Sequence, residues 1–78
     1  KVVQAKTIMQ NIAKYESING KLENDLPSVD EYELLSKLIE VSKSNQKSLI
    51  VKDNNQKNIG VITQSDLLKA VIEGSDGE

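Results

Sequence analysis

The chain has 78 residues with no His, Cys, Trp or Phe, and all ten of its cationic residues are lysines. A chain of this length forms one small domain, and the missing Cys and His exclude disulfides, zinc–thiolate sites and the most usual general base. Twelve acidic residues against ten lysines give a net charge of −2 and indicate no basic face for nucleic acid. Because His and Cys are missing, we also predict a non-enzyme without catalytic residues or a metal site.

Residues 1–24 combine a helical pattern with a connection. Apolar side chains at Val3, Ile8, Ile12 and Tyr15 recur close to helical spacing, which predicts a helix that runs out near Ser17–Gly20. The residues after it are mostly polar and predict a connection to the next element. The first part of the chain is therefore expected to be an N-terminal helix.

A clear helical signal follows Pro27, within a core predicted over residues 25–74. Ser28 and Glu31 have the spacing of a capping box, in which each side chain bonds the amide of the other residue. The apolar residues behind them repeat on one face of a helix. They are Leu34, Leu35, Leu38 and Ile39. The pattern predicts a helix over residues 29–43.

Two short apolar runs predict strands at residues 48–52 and 59–63, because they are rich in branched side chains and too short for helices. Asn54 and Asn55 in the polar loop between them tolerate left-handed backbone angles, so the loop predicts an antiparallel hairpin. A last helix is predicted over residues 65–73, with Gly74 as its stop and residues 75–78 as a tail.

The predicted order is helix, helix, strand, strand, helix. Such a mixture indicates the α+β class, with a short mixed sheet packed against helices and an N-terminal helix before it. No apolar run approaches the roughly 18–20 residues that span a bilayer, so we expect no membrane insertion. The chain starts at Lys1 without Met and has no signal peptide, and we therefore expect an excised domain of a cytoplasmic protein.

Residues 48–68 resemble the second half of a CBS (cystathionine-β-synthase-type) domain. In that family an apolar strand and an acidic turn precede Gly-apolar-apolar-Thr-x-x-Asp, which leads into a helix with paired Leu. Asp53, Gly60, Thr63 and Asp66 stand in this register without a gap. The resemblance extends back through the predicted helix at residues 29–43 and implies the CBS-type fold.

This sequence departs from the family's pattern at several places. Ile50 and Gln56 stand where the family commonly has Pro and a turn Gly. The stretch between Met9 and Pro27 is also several residues longer than usual, so the family's first strand has no obvious position here.

Thr63 and Asp66 lie where a strand ends and a helix begins, and two functions stay open for them. They form a helix cap if the Thr63 hydroxyl accepts the Asp66 amide and the carboxylate reaches back. They can also contact a ligand, because a helix N-terminus favours anions and a carboxylate can accept hydrogen bonds from two vicinal ribose hydroxyls. The resemblance implies Thr63 as a phosphate contact, Asp66 as a ribose contact, and Ile50, Val61 and Ile62 as an apolar purine wall.

The resemblance further implies a non-enzymatic regulatory module for an adenosine-containing ligand such as AMP, ATP or S-adenosylmethionine. No cofactor is expected to be required, and AMP or ATP would act as an effector. The expected partner is a second copy of the chain, as a homodimer, or a sister CBS module. The alternative is a ligand-free dimerisation module that holds a larger protein together.

Overall fold

The computed structural model describes residues 3–23, 25–45 and 47–77, which form four helices and four strands. The helices are α1 (Ala5–Ile8), α2 (Ile12–Asn19), α3 (Leu35–Asn45) and α4 (Gln64–Gly77). The strands are β1 (Gln10–Asn11), β2 (Ser28–Asp30), β3 (Leu49–Lys52) and β4 (Asn58–Ile62).

The four strands form one mixed sheet in the order β1-β4-β3-β2. β3 and β4 are the predicted antiparallel hairpin, with Ile50 opposite Val61. β1 lies antiparallel to β4 at one edge, and β2 lies parallel to β3 at the other. The predicted α+β fold, a short mixed sheet packed against helices, is confirmed.

One face of the sheet forms the core with the helices. Leu49 and Val51 of β3 and Ile62 of β4 are fully buried and cluster with side chains of α1, α3 and α4. Those helical side chains are Ala5, Leu38 and Leu67. Burying one such aliphatic side chain stabilises the fold by about 1.5–3 kcal/mol. Because side chains alternate along a strand, Ile50 and Val61 point to the opposite face.

The single helix predicted at the N-terminus is wrong, because the chain is extended at Met9. Gln10 and Asn11 form β1 and pair with the edge of β4, and only then does α2 begin. Asn11 caps α2 by accepting a hydrogen bond from the Lys14 amide at 3.1 Å. Backbone pairing with a distant strand therefore outweighs the weak helical pattern of apolar residues in this segment.

Gly60 of β4 allows Met9 to lie directly against the sheet. A Cβ atom on Gly60 would lie 2.8 Å from Met9 Cγ and would collide with Sδ. Any side chain at this position would displace Met9, which packs against the core cluster. The glycine before the two apolar residues of β4 thus has a packing role.

The helix predicted over residues 29–43 begins only at Leu35, and the predicted capping box between Ser28 and Glu31 is wrong. Ser28–Asp30 form β2 instead, and the Glu31 amide donates to the Lys52 carbonyl at 3.0 Å. Asp30 Oδ2 then accepts the Tyr32 amide at 2.9 Å, which turns the chain before α3. Backbone bonds to β3 explain why a strand replaces the first turns of the helix.

The hairpin strands span residues 49–52 and 58–62. Each differs by one residue from the predicted 48–52 and 59–63, except at the shared end at residue 52. Asp53 organises the turn, because its Oδ1 accepts the amides of Asn55 at 2.8 Å and Lys57 at 3.0 Å. The residue with a left-handed backbone is Gln56, at φ 64°, and not either Asn of the predicted turn.

α4 starts at Gln64, one residue before its predicted start, and continues to Gly77. The predicted stop at Gly74 and the tail after it are therefore wrong. A glycine inside a helix costs only about 1 kcal/mol relative to alanine, which does not end this helix. No helix in the described part of the chain is both long and apolar enough to cross a membrane.

Candidate functional site

The start of α4 carries two reciprocal hydrogen bonds between Thr63 and Asp66. The Asp66 amide donates to Thr63 Oγ1 at 3.1 Å, and the Thr63 amide donates to Asp66 Oδ2 at 3.0 Å. This is a capping box, since each side chain satisfies a backbone amide of the other residue near the helix start. The helix cap predicted from Thr63 and Asp66 is confirmed.

Gln10 of β1 also binds the Asp66 carboxylate. Its Nε2 donates to Oδ2 at 2.8 Å, in a partly buried contact between residues 56 positions apart. No local pattern in the sequence connects the two residues, so sequence reasoning missed Gln10. The carboxylate therefore joins the edge strand β1 to the junction between β4 and α4.

The capping geometry leaves hydrogen-bonding capacity for a ligand. Among the described residues, both donors to the Asp66 carboxylate end on Oδ2, so Oδ1 keeps its acceptor capacity. Thr63 Oγ1 accepts a hydrogen bond from the Asp66 amide, and the hydroxyl can still donate one to another group. The half-buried pair can thus accept a hydrogen bond from a hydroxyl and donate one to an anion at the helix start.

The three residues predicted as a purine wall do not share one surface. Ile62 belongs to the core cluster beneath the helices, whereas Ile50 and Val61 are a cross-strand pair on the opposite face. All three are buried, with relative exposures of 0% for Val61 and Ile62 and 6% for Ile50. Ile50 lines a groove of about 280 Å³, together with Leu22 and Leu26.

A larger cavity of about 440 Å³ adjoins this groove and includes Gln64 of the Thr63–Asp66 segment. We call it the α2 cavity, because α2 and the connection after it form one wall. That wall consists of Tyr15, Asn19, Gly20, Lys21, Leu22, Glu23 and Leu26. The segment just before β3 and the start of α4 provide the other wall, with Lys47, Ser48 and Gln64. The volume is within the range of small-molecule sites.

Three of these wall residues, Lys21, Leu22 and Glu23, lie in the stretch that the sequence predicts as a connection. The longer stretch between Met9 and Pro27 was the one signal that pointed to them. In the sequence motif Gln64 is a spacer between Thr63 and Asp66. In the structure its Nε2 donates to Ser42 Oγ at 2.6 Å and to the Lys47 carbonyl at 3.2 Å. Gln64 thereby ties the start of α4 to α3 and to the segment before β3.

Charges of both signs surround the α2 cavity. Lys47 Nζ lies 2.9 Å from Asp25 Oδ2. The Lys47 ammonium lowers the pKa of the Asp25 carboxyl, chiefly by this hydrogen bond and by its charge. The Asp25 carboxylate in turn raises the pKa of Lys47, with a smaller contribution from the charge of Glu23. Both members of the pair are therefore charged at neutral pH.

The arrangement is suited to non-covalent binding. In the described ranges, no three His, Cys, Asp or Glu residues come together to hold a metal ion. The groups at hand are a held carboxylate, a hydroxyl, a helix start and a cavity with apolar and aromatic side chains. These are elements that bind and orient a small polar ligand.

Comparisons with known proteins agree on one family. The family model described as CBS domain matches residues 20–73. The fold resembles a crystal structure named as the "CBS domain of a putative transporter" from Clostridium difficile 630, with 20% sequence identity and a TM-score of 0.60. That match covers 81% of this chain and 53% of the other chain, so this chain spans about half the length of the solved CBS domain structure. No curated protein matches this chain significantly.

Replacing Asp66 by Ala is expected to lower the free energy of unfolding by about 1–2 kcal/mol, because the α4 cap is lost and Gln10 loses its acceptor. Gln10→Ala removes only one hydrogen bond and is expected to cost about 0.5–1.5 kcal/mol. Urea denaturation of both variants measures these losses. An Asp66→Ala variant as stable as the wild type would contradict the structural role of this carboxylate.

Proposed function

The chain belongs to the CBS domain family, whose members are generally regulatory modules, and we propose that it binds an adenosine-containing ligand and pairs with a second CBS module. The ligand class is that of AMP, ATP and S-adenosylmethionine. In this proposal the module catalyses nothing and acts in the cytoplasm on a protein to which it is attached.

The observation that carries the proposal is the held carboxylate of Asp66. Two donors on Oδ2 orient the group, and Oδ1, which accepts none of the hydrogen bonds from the described residues, would accept hydrogen bonds from ribose hydroxyls. The Thr63 hydroxyl lies on the same turn and would donate to the first phosphate, where the positive end of the α4 dipole also favours an anion. An oriented site loses less conformational freedom on binding than a mobile one.

The base is proposed to lie in the α2 cavity. Tyr15, Leu22 and Leu26 provide aromatic and apolar surface there, and Gln64 and Ser48 provide polar groups. Leu22 and Leu26 also line the adjoining groove together with Ile50, so the predicted wall residue Ile50 would lie beside the base. Val61 would support this surface as the cross-strand neighbour of Ile50, whereas Ile62 packs in the core on the other face of the sheet.

Regulation would follow from the way in which two modules share the ligand. A ligand that binds one relative orientation of the modules better than another shifts the population toward that orientation. This change in orientation would alter the conformational equilibrium of the attached protein, because the ligand site and the attached protein are then coupled.

The ligand part of the proposal predicts that AMP, ATP or S-adenosylmethionine binds the wild-type protein in isothermal titration calorimetry. Asp66→Asn keeps an acceptor for the cap but removes the charge, and Thr63→Val removes the hydroxyl. Each is expected to weaken binding by about tenfold, as the loss of one hydrogen bond to a charged group implies.

Glu40→Gln, which removes an exposed acid of α3, is the matched control and is expected to bind like the wild type. Neither heat nor a change of melting temperature with any of the three ligands would overturn the ligand part of the proposal.

The pairing surface is proposed to be the outer face of α4. Leu68 and Ile72 are one turn apart and are 64% and 55% exposed. Leu68 also lines a groove of about 570 Å³ between α3 and α4, together with Ile39 and Leu67. Exposed apolar side chains beside an apolar groove are typical of a protein–protein contact, and a second copy of the same helix face would cover them.

Leu68→Glu is expected to convert a dimer into a monomer, because it places a charge in the proposed contact. Ile18→Glu is the matched control, since Ile18 is 73% exposed but lies on α2. Sedimentation equilibrium distinguishes the two. A monomeric wild type, or a Leu68→Glu dimer as stable as the wild type, would contradict pairing through α4.

One observation favours the alternative of a ligand-free association module. The Thr63–Asp66 capping box is formed by groups of this chain alone, so its two residues have a structural role that requires no ligand. A module of this kind would form a dimer whose melting temperature does not change with nucleotide concentration, because only a bound ligand stabilises the folded state by mass action.

A further inference from the structure

Gln10 reaches the Asp66 carboxylate from a backbone that belongs to the sheet and not to α4. In β1, Gln10 pairs with Val61 of β4, and Met9 before it packs against Gly60 and the core cluster. The Gln10 side-chain amide donates to Asp66 Oδ2 at 2.8 Å, in a partly buried contact. The carboxylate is therefore held by a tertiary contact in addition to the helix cap.

The two donors leave a defined part of the carboxylate for a ligand. A carboxylate has about four acceptor positions, two on each oxygen. The amides of Thr63 and Gln10 both bond to Asp66 Oδ2, so Oδ1 accepts none of the hydrogen bonds of the described residues. Two adjacent acceptor positions on one oxygen match two vicinal hydroxyl groups. Vicinal hydroxyls are the feature that distinguishes ribose from 2′-deoxyribose.

The helix cap alone does not fix the plane of the Asp66 carboxylate. Rotation about a terminal sp³–sp² bond, such as Cβ–Cγ of Asp, is soft, so a carboxylate held by one donor covers a broad range of angles. A second donor from another element narrows this range, because hydrogen bonds weaken steeply when their angles become unfavourable. Without the Gln10 amide the cap would remain, but Oδ1 would no longer be held at one position.

Gln10 supplies this constraint without a positive charge. The ion pairs within the described residues join Lys37 to Glu40 and Lys47 to Asp25, and neither of them involves Asp66. A hydrogen bond to an ionised group is roughly twice as strong as one between neutral groups. A hydroxyl that bonds to Oδ1 would thus meet a carboxylate that is oriented but not paired with a cation among these residues.

We infer, on the basis of the proposed function, that Gln10 is a positioning residue that makes the site selective for ribonucleotides over 2′-deoxyribonucleotides. It acts by holding Asp66 so that Oδ1 can accept both ribose hydroxyls. The two kinds of nucleotide have the same base and the same phosphate, so the contacts of Asp66 with the sugar distinguish them.

Calorimetric titration of the full chain with AMP and with 2′-deoxyadenosine monophosphate tests this role. The wild type is expected to bind AMP about tenfold more tightly, as the loss of one hydrogen bond to a charged group implies. Gln10→Met keeps an unbranched side chain but removes the donor, and it is expected to lower this ratio to about threefold or less because the carboxylate is no longer preorganised. A merely structural loss would weaken both ligands equally and leave the ratio unchanged.

Gln10→Ala is a second variant without the donor and is expected to lower the ratio in the same way. Asp53→Ala is the control for lost stability, because it removes two hydrogen bonds of the hairpin turn, and it is expected to keep the wild-type ratio. In an Asp66→Asn background, Gln10→Met is expected to have little further effect on the ratio, since the two residues act through one interaction. Urea denaturation checks that all variants fold.

The outcomes distinguish the role of Gln10 from the proposed function. If neither nucleotide binds the wild type, the proposed function fails and the role of Gln10 fails with it. Three results would overturn the role of Gln10 while nucleotide binding stands. They are equal binding of both nucleotides by the wild type, a wild-type ratio in both Gln10 variants, and an undiminished effect of Gln10→Met in the Asp66→Asn background.

Discussion

The Asp66 carboxylate is the group on which the geometry of the candidate site depends. It accepts the Thr63 amide at the end of β4 and the side-chain amide of Gln10 at the sheet edge, while the Asp66 amide returns to Thr63. One side chain thus holds the edge strand β1, the last residue before α4 and the first turn of α4 together. The same bonds prevent the carboxylate from rotating, so the structural cap and a preorganised acceptor are two properties of one arrangement.

The segment between β1 and β2 determines the shape and charge of the site. α2 has no buried residue, and yet it places Tyr15 and Asn19 in the cavity beside the α4 start. α2 precedes residue 20, where the family match begins, so Tyr15 and Asn19 lie outside the match, whereas the rest of this wall lies within it. The connection after α2 adds Asp25, whose carboxylate pairs with the Lys47 ammonium at 2.9 Å.

Local patterns predicted the elements whose partners lie close in the sequence. The hairpin, the start of α4 and the cap between Thr63 and Asp66 all depend on residues within a few positions of one another. Predictions failed where a distant strand supplies the partner: β1 pairs with β4 about 50 positions away, and β2 takes backbone bonds from β3. The contact between Gln10 and Asp66 has the same cause. The turn of the hairpin was a local prediction that failed in detail. The left-handed backbone angle is adopted by Gln56, at the place where the family pattern has Gly, and not by an Asn.

The most direct measurement is a map of backbone amide chemical shifts during titration of the isotopically labelled protein with AMP. If the held carboxylate and the α2 cavity form one ligand site, the largest changes will occur at Thr63, Gln64 and Asp66 and at Leu22 across the cavity. The amide of Ile72 on the outer face of α4 will change little. Saturating AMP that leaves the amides of residues 63–66 unchanged, or that shifts only the outer face of α4, would contradict a nucleotide site at the start of this helix.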